Sequence, residues 1–170
     1  TCTRLASGCA PKLLAAAQNP VIVCERVARS QEGMKLMVEL AEALNAPVVD
    51  LLGRMNFPTT HYLCRTTDGR ALVGGADVVL FLEVGDPWGQ LNSISDPHHE
   101  YRRIGKPDVK LIHVTLADQL MKSNYQDMQR FCPVDISISA DVQATLPSLI
   151  ESIKKQTSNS RAGRTEALRK

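Results

Sequence analysis

Two arginines three positions apart, Arg26 and Arg29, follow a short apolar run, Val21-Ile22-Val23-Cys24, after Glu25. Guanidinium groups at the end of a buried strand can hold phosphate oxygens through paired, charge-assisted hydrogen bonds. The backbone around them lacks the usual complement. Glu25 to Ser30 contains no glycine, whereas a Gly-x-Gly-x-x-Gly turn lets the chain approach a pyrophosphate. A standard NAD site is therefore not expected, and the two arginines read either as side-chain phosphate ligands or as solvated surface cations. A second candidate is the stretch Gly53-Arg54-Met55-Asn56-Phe57-Pro58-Thr59-Thr60-His61. Its composition specifies a shaped loop. His61 could act as a general base, but no Ser, Cys or carboxylate partner is indicated, and a hydrogen-bonded structural histidine is expected. A third candidate, Gly85-Asp86-Pro87-Trp88-Gly89-Gln90, carries the only tryptophan. An indole there can stack on a ligand ring, fill an interface or cover its own surroundings.

His98 and His99, with Asp96 nearby, invite a metal, but adjacent histidines on an irregular loop lack supporting ligands. His113 lies within an apolar run and reads as a packing residue, so no metal site is expected. Five cysteines, Cys2, Cys9, Cys24, Cys64 and Cys132, are scattered without a Cys-x-x-Cys pair. That pattern argues for reduced thiols in a cytoplasmic protein, not for a disulfide framework or a zinc site. No Gly-x-Ser-x-Gly, Walker loop or His-Glu-x-x-His occurs, and nothing assembles a nucleophile, base and orienting group. The residues alone describe an α/β binding or scaffold domain with no catalytic centre of its own.

The elements that must position these residues are legible as periodicity. Pro11 to Gln18 reads as a short helix closed by Asn19-Pro20, and residues 21–24 as a strand buried on both faces. Ser30 caps a helix whose apolar stripe is Met34, Met37, Leu40, Ala41 and Leu44. Residues 48–52 form the next strand, completing one parallel βαβ unit. Residues 77–83, 109–115 and 134–139 give three further strands, the last alternating as at a sheet edge. Asp141 caps a final helix along Val142, Leu146, Leu149, Ile150 and Ile153, with Pro147 set to kink it. A short strand is also possible between Met121 and Arg130. The sum is an open, mainly parallel α/β sheet with helices on both faces, and ligands in such folds bind beyond the carboxyl ends of the strands.

The chain has 170 residues, 44% hydrophobic and 22% charged, in keeping with one globular domain. A chain of this size buries roughly 70% of its unfolded surface and needs no disulfide or metal to fold. Its first residue is Thr1, which reads as a processed or excised chain. No apolar run approaches the ~20 residues of a membrane helix. The net charge of +2 is uneven: from Lys154 to Lys170 six cations face Glu166 alone. That tail contains no aromatic residue to stack on a base, so it reads as a linker and nucleic acid is not an expected partner.

Several stretches together resemble the central domain of thiamine-diphosphate-dependent enzymes, the family of acetolactate (acetohydroxyacid) synthases, oxalyl-CoA decarboxylases and benzaldehyde lyase. They are LLAAAQNPVIVCE (13–25), LMVELAEALNAPVVDLLGRMNFPTTHYL (read loosely across 36–63), ADVVLFLEVGDPW (76–88), KLIHVTL (110–116) and VDISISADVQATLPSL (134–149). The resemblance implies a six-stranded, Rossmann-like sheet of the DHS-like NAD/FAD-binding domain type over residues 11–156. Residues 1–10 would be a linker, and 157–170 a linker to an absent C-terminal domain. It further implies a parent transferase or lyase, a carboligase or decarboxylase acting on 2-oxo acids, assembled as a homodimer or homotetramer. Thiamine diphosphate and magnesium would lie outside this chain, because Gly85-Asp86-Pro87 lacks the second glycine and the downstream Asn pair of the family's diphosphate motif.

Some members of that family bind FAD in this domain, and oxalyl-CoA decarboxylases bind ADP. By the resemblance the contacts for a nucleotide or for the substrate tunnel would be Arg26, Arg29, Gly53, Arg54, Phe57, His61, Gly85, Asp86, Trp88 and Thr115. Three departures stand against a nucleotide. Glu25 to Ser30 replaces a glycine-rich stretch, the 85–90 loop lacks the arginines of Gly-Ala-Arg-Phe-Asp-Asp-Arg, and His113-Val114-Thr115-Leu116 replaces His-Ile-Asp-Ile-Asp, removing an expected ribose partner. Trp88 would then wall the parent's active site without doing chemistry. The alternative function is an FAD- or ADP-binding module with a structural or regulatory role. An independent NAD-dependent deacylase is disfavoured by the missing glycine turn and zinc cysteines.

Overall fold

The computed structural model describes residues 2–95, 100–117 and 132–156. Five strands, β1 (Pro20–Cys24), β2 (Val48–Asp50), β3 (Val78–Leu82), β6 (Lys110–Thr115) and β7 (Ile136–Ser139), form one sheet in the order β2-β1-β3-β6-β7. Every pairing is parallel; Ile22 sits between Val48 and Leu80, and Leu80 faces Ile112. β1 and β3 are buried at all five positions, which is why their sequences are continuous apolar runs. β7, at the edge, alternates as its sequence predicts. Two more strands, β4 (Asn92–Ser95) and β5 (Glu100–Arg103), pair antiparallel as a separate ribbon. The sheet therefore has five strands among the described residues, where the resemblance implies six. The strand considered at 121–130 and the His98-His99 pair lie outside the described residues.

Three helices cover one face: α1 (Cys2–Ala16), α2 (Gln31–Leu44) and α5 (Val142–Gln156). They bury Leu14, Met37, Leu40, Leu44, Leu146 and Ile153 against Ile22, Cys24, Leu80, Ile112 and Ile138. The other face packs Val21, Val23, Val79, Phe81 and Leu111 under Val73 of α3 (Gly69–Gly75) and Leu91 of α4 (Pro87–Leu91). This is an α/β, Rossmann-like architecture with an open parallel sheet and helices on both sides.

The caps behave as the sequence requires. Ser30 Oγ accepts from Gly33 N–H at 3.1 Å, and Asn45 ends α2 with a left-handed φ of 48°. Asp141 Oδ1 accepts from Ala144 N–H at 2.9 Å at the start of α5, which continues past Pro147. One boundary differs. Pro11 lies inside α1, which begins at Cys2 within the stretch read as a linker. Asp77 then fixes the turn into β1 by accepting from Gln18 and Asn19 N–H at 2.6 and 2.9 Å.

Candidate functional site at the carboxyl edge of the sheet

The chain runs from β1 to β2 on one side and then crosses back to β3 on the other side of β1, so the strand order reverses between β1 and β3. A crevice at that switch point is the usual ligand seat of an open parallel sheet. Here the molecule's own groups fill it. Glu25, the first residue after β1, extends its carboxylate across the gap, and its Oε2 accepts from Gly85 N–H at 2.8 Å. Gly53 lies beneath the same turn; a Cβ there would stand 2.8 Å from Glu25 Cγ and 3.1 Å from Arg26 Cγ. Close approach of the two loops thus depends on glycine at 53.

The backbone donors of the β1–α2 turn are also occupied. Asn56, fully buried, accepts from Val27 and Ala28 N–H on Oδ1 at 2.8 and 3.0 Å. Its Nδ2 lies within 2.7 to 2.9 Å of Glu25 O, Asp50 Oδ1 and Arg54 O. Asp50, also buried, accepts from Asn56 N–H and Leu52 N–H, both at 3.0 Å. Arg29 N–H donates to Gln143 Oε1 at 2.9 Å, and the Arg29 guanidinium pairs with Asp141. The Asp141 carboxyl is held below its ordinary value by the Ala144 N–H and then by Arg29.

The remaining expected site residues divide by location. Arg26 is 69% exposed at the side chain and 3.7 Å from Glu25, and Arg54 is exposed. Thr115 closes β6, its hydroxyl donating to Glu83 Oε2 at 2.8 Å. Asp86 caps α4 by accepting from Gly89 N–H at 2.9 Å. Trp88 packs edge-on against Tyr101 of the ribbon, with ring centres 5.1 Å apart. It lines a cleft of about 300 Å³ with Arg103, Lys110 and Cys132 on the face of the sheet.

Phe57 and His61 leave the carboxyl edge. Phe57 is buried in the core. Leu63 O accepts from Val48 N–H, returning the chain to the start of β2, and His61 stands there with Nε2 3.4 Å from Glu42 near the end of α2. His61 Nδ1 accepts from Leu63 N–H at 3.2 Å, which leaves the proton of the neutral ring on Nε2, toward Glu42. The edge therefore gathers Arg26, Gly53, Arg54, Gly85 and Thr115, while Arg29 is drawn to Asp141.

Sequence reasoning did not single out Glu25, Asp50, Asn56, Glu83 or Gln143. Their roles are made mostly by contacts between residues distant in sequence, up to 114 positions apart, for which a single chain gives no local signal. The two buried thiols, Cys24 and Cys132, are poorly suited to act as nucleophiles. Burial raises Cys24 well above the ordinary thiol value, with Asp50 adding to the effect, and burial raises Cys132. Among the described residues no group of three His, Cys, Asp or Glu side chains could hold a metal ion, and no helix is long and apolar enough to cross a membrane.

The fold is similar to that of a protein isolated from Mycobacterium smegmatis whose X-ray structure was assigned to the thiamin diphosphate-dependent enzymes. The TM-score is 0.63 at 20% sequence identity, over 94% of this chain and 29% of that one. This chain thus spans less than a third of the length of that protein. No curated protein matches the sequence. Residues 9–149 match the family described as thiamine pyrophosphate enzyme, central domain, and the chain belongs to that family.

Proposed function

We propose that this chain is the central scaffold domain of a thiamine-diphosphate-dependent carboligase or decarboxylase that acts on 2-oxo acids. One observation carries the scaffold reading: the switch-point crevice is closed by Glu25 on Gly85 N–H, while Asn56 takes the turn's Val27 and Ala28 donors. A bound diphosphate needs free N–H groups and a positive field there. Among the described residues the crevice itself offers a carboxylate and bonded amides, and the guanidinium groups of Arg26 and Arg54 stand outside it in solvent, so the residues described in the crevice do not fit the phosphates of FAD or ADP. Thiamine diphosphate, with magnesium, supplies the carbanion chemistry of such enzymes, and among the described residues no group of three His, Cys, Asp or Glu side chains could hold a metal ion. On this reading both are held by other domains of the parent, which assembles as a homodimer or homotetramer in the cytoplasm. The described cysteines Cys9, Cys24, Cys64 and Cys132 are free thiols, which favours a reducing compartment.

The experiment has two arms. The polypeptide that carries this chain is assayed with thiamine diphosphate, magnesium and pyruvate or a longer 2-oxo acid; turnover that depends on the cofactor is expected, and its absence across 2-oxo acids overturns the reading. The chain itself is titrated with FAD, ADP, NAD and coenzyme A while thermal stability is followed. A ligand specific for the native state raises stability by about 2.7 kcal/mol at ~100 times its dissociation constant. No shift is expected, and a shift of several degrees with FAD or ADP establishes a nucleotide module instead.

A further inference from the structure

Trp88 takes no part in closing the carboxyl edge. Its half-buried indole walls a cleft of about 300 Å³ that also includes Lys110, at the start of β6, and Cys132, Pro133 and Asp135, just ahead of β7. The cleft therefore lies toward the amino ends of these strands, apart from the crevice that Glu25 closes. A cavity of this size with an aromatic wall and a few polar groups is of the kind that takes a small organic molecule. The wall is firm: Trp88 stands edge-on to Tyr101 at 5.1 Å, and Leu91 and Val109 are buried beside it.

Four charged residues line the cleft, and two of them are matched. Lys110 Nζ donates to Asp135 Oδ1 at 2.8 Å, while Asp135 Oδ2 accepts from Leu111 N–H at 2.9 Å. Arg103 and Asp108 are not matched; among the described residues neither forms an ion pair. Backbone carbonyls hold the Arg103 guanidinium in place, with Nε on Gly105 O at 3.2 Å and Nη2 on Lys106 O at 3.5 Å. That leaves Nη1 to donate elsewhere. Burial raises the Cys132 thiol and the Arg103 charge opposes it, so the guanidinium lies on the Cys132 side of the cleft. The bond to Asp135 raises Lys110 and Asp108 adds a smaller share, so the Asp108 carboxylate lies on the Lys110 side. Asn92, 6% exposed, donates from Nδ2 to Trp88 O at 2.8 Å and keeps Oδ1 as an acceptor at the cleft.

The cleft thus presents one unmatched cation, one unmatched anion, an amide acceptor and an indole. We infer that it binds a free α-amino acid with an apolar or aromatic side chain: the carboxylate on Arg103, the ammonium on Asp108 and Asn92 Oδ1, the side chain against Trp88. Electrostatic complementarity selects this class. A simple carboxylic acid leaves Asp108 without a counterpart, and a simple amine leaves Arg103 without one. A nucleotide would set several negative charges beside Asp108 and Asp135, and like charges so placed are rejected.

Calorimetric titration of the polypeptide that carries this chain tests the assignment. L-phenylalanine is compared with 3-phenylpropanoate, which lacks the ammonium, and with 2-phenylethylamine, which lacks the carboxylate. The amino acid is expected to bind about tenfold more tightly than either analogue. The Asp108 side chain makes no hydrogen bond among the described residues, so Asp108→Asn changes the cleft without loosening the fold. It should weaken L-phenylalanine about tenfold and leave 3-phenylpropanoate unchanged. Arg103→Gln should weaken L-phenylalanine and leave 2-phenylethylamine unchanged. Because Arg103 also ties down residues 105 and 106, the thermal midpoint of each variant is recorded, and Asp108→Asn alone decides if Arg103→Gln unfolds. No binding of L-phenylalanine or L-leucine overturns the inference. So does an analogue that binds as tightly as the amino acid, or amino-acid binding that Asp108→Asn leaves unchanged.

Discussion

Glu25 and Gly85, sixty positions apart, meet across the switch point of the sheet, with Glu25 Oε2 2.8 Å from Gly85 N. The bond joins the loop after β1 to the loop after β3, where this architecture usually receives a ligand. A carboxylate on a backbone N–H is a charge-assisted bond, here 23% exposed at the side chain. Glu25→Ala should therefore destabilise the domain by about 1.5–2 kcal/mol, the low part of the range for bonds to charged groups. Glu25→Gln, which keeps an acceptor oxygen, should lose less than half of that. Urea unfolding of the two variants checks the ordering, and equal losses would show that the bond contributes nothing.

Asn56 is the more severe position. Its side chain serves Val27 N–H, Ala28 N–H, Glu25 O and Asp50 together, with no exposure to water. Asn56→Ala leaves two buried N–H groups without an acceptor and takes one of three donors from Asp50, whose bonds to the Leu52 and residue-56 backbone N–H groups remain. Each orphaned group costs ~1–3 kcal/mol, so a loss of about 3–5 kcal/mol is expected by denaturant unfolding. A loss under 1 kcal/mol would mean that water replaces the amide and that the cluster is not a structural hub.

The sheet was legible because its strands are buried on both faces and leave continuous apolar runs, as at Val78–Leu82. The ribbon was not, because Glu100–Arg103 is exposed along its whole length and shows no alternation. The start of α1 was missed for a different reason. Proline is favoured in the first turn of a helix, so Pro11 read as a beginning, yet it stands ten residues into Cys2–Ala16. Among the candidate residues, Gly53 and Gly85 lie after strand ends and beside Glu25. His61 could not be placed from sequence, since its position is set by Leu63 returning to Val48 and by Glu42 on another helix.

The Arg29–Asp141 pair decides how Arg29 responds to mutation. Its side chains are 50% and 28% exposed, and exposed ion pairs contribute ~0–1 kcal/mol, screened by salt. Arg29→Ala should cost about 0.5 kcal/mol at low ionic strength and nothing measurable near ~1 M salt. Thermal unfolding at two salt concentrations checks this. A salt-independent loss above ~2 kcal/mol would indicate that the guanidinium stem, not its charge, supports the β1–α2 turn.

His113 gives the domain a pH dependence of predictable sign. It is 2% exposed in the middle of β6, edge-on to Phe81 at 6.2 Å, and its Nε2 has no hydrogen-bond partner among the described residues. Burial lowers its pKa from 6.5 to about 4, against a smaller opposing effect of the Val84 backbone. The folded state therefore keeps the ring neutral where the unfolded chain already binds a proton. Stability from this group is complete above pH 6.5, falls as the pH drops toward 4, and falls no further below that. Each pKa unit corresponds to ~1.4 kcal/mol, so the loss across the window is about 3 kcal/mol. His113→Leu removes the proton site while keeping an apolar side chain of similar bulk against Phe81. Urea unfolding at pH 7.5 and at pH 4.5 should show wild type losing roughly 2–3 kcal/mol more than the variant between the two conditions. Carboxylates titrate alike in both proteins, so the difference belongs to His113; parallel losses would mean that the ring gains a partner or water when protonated and is not held neutral by the core.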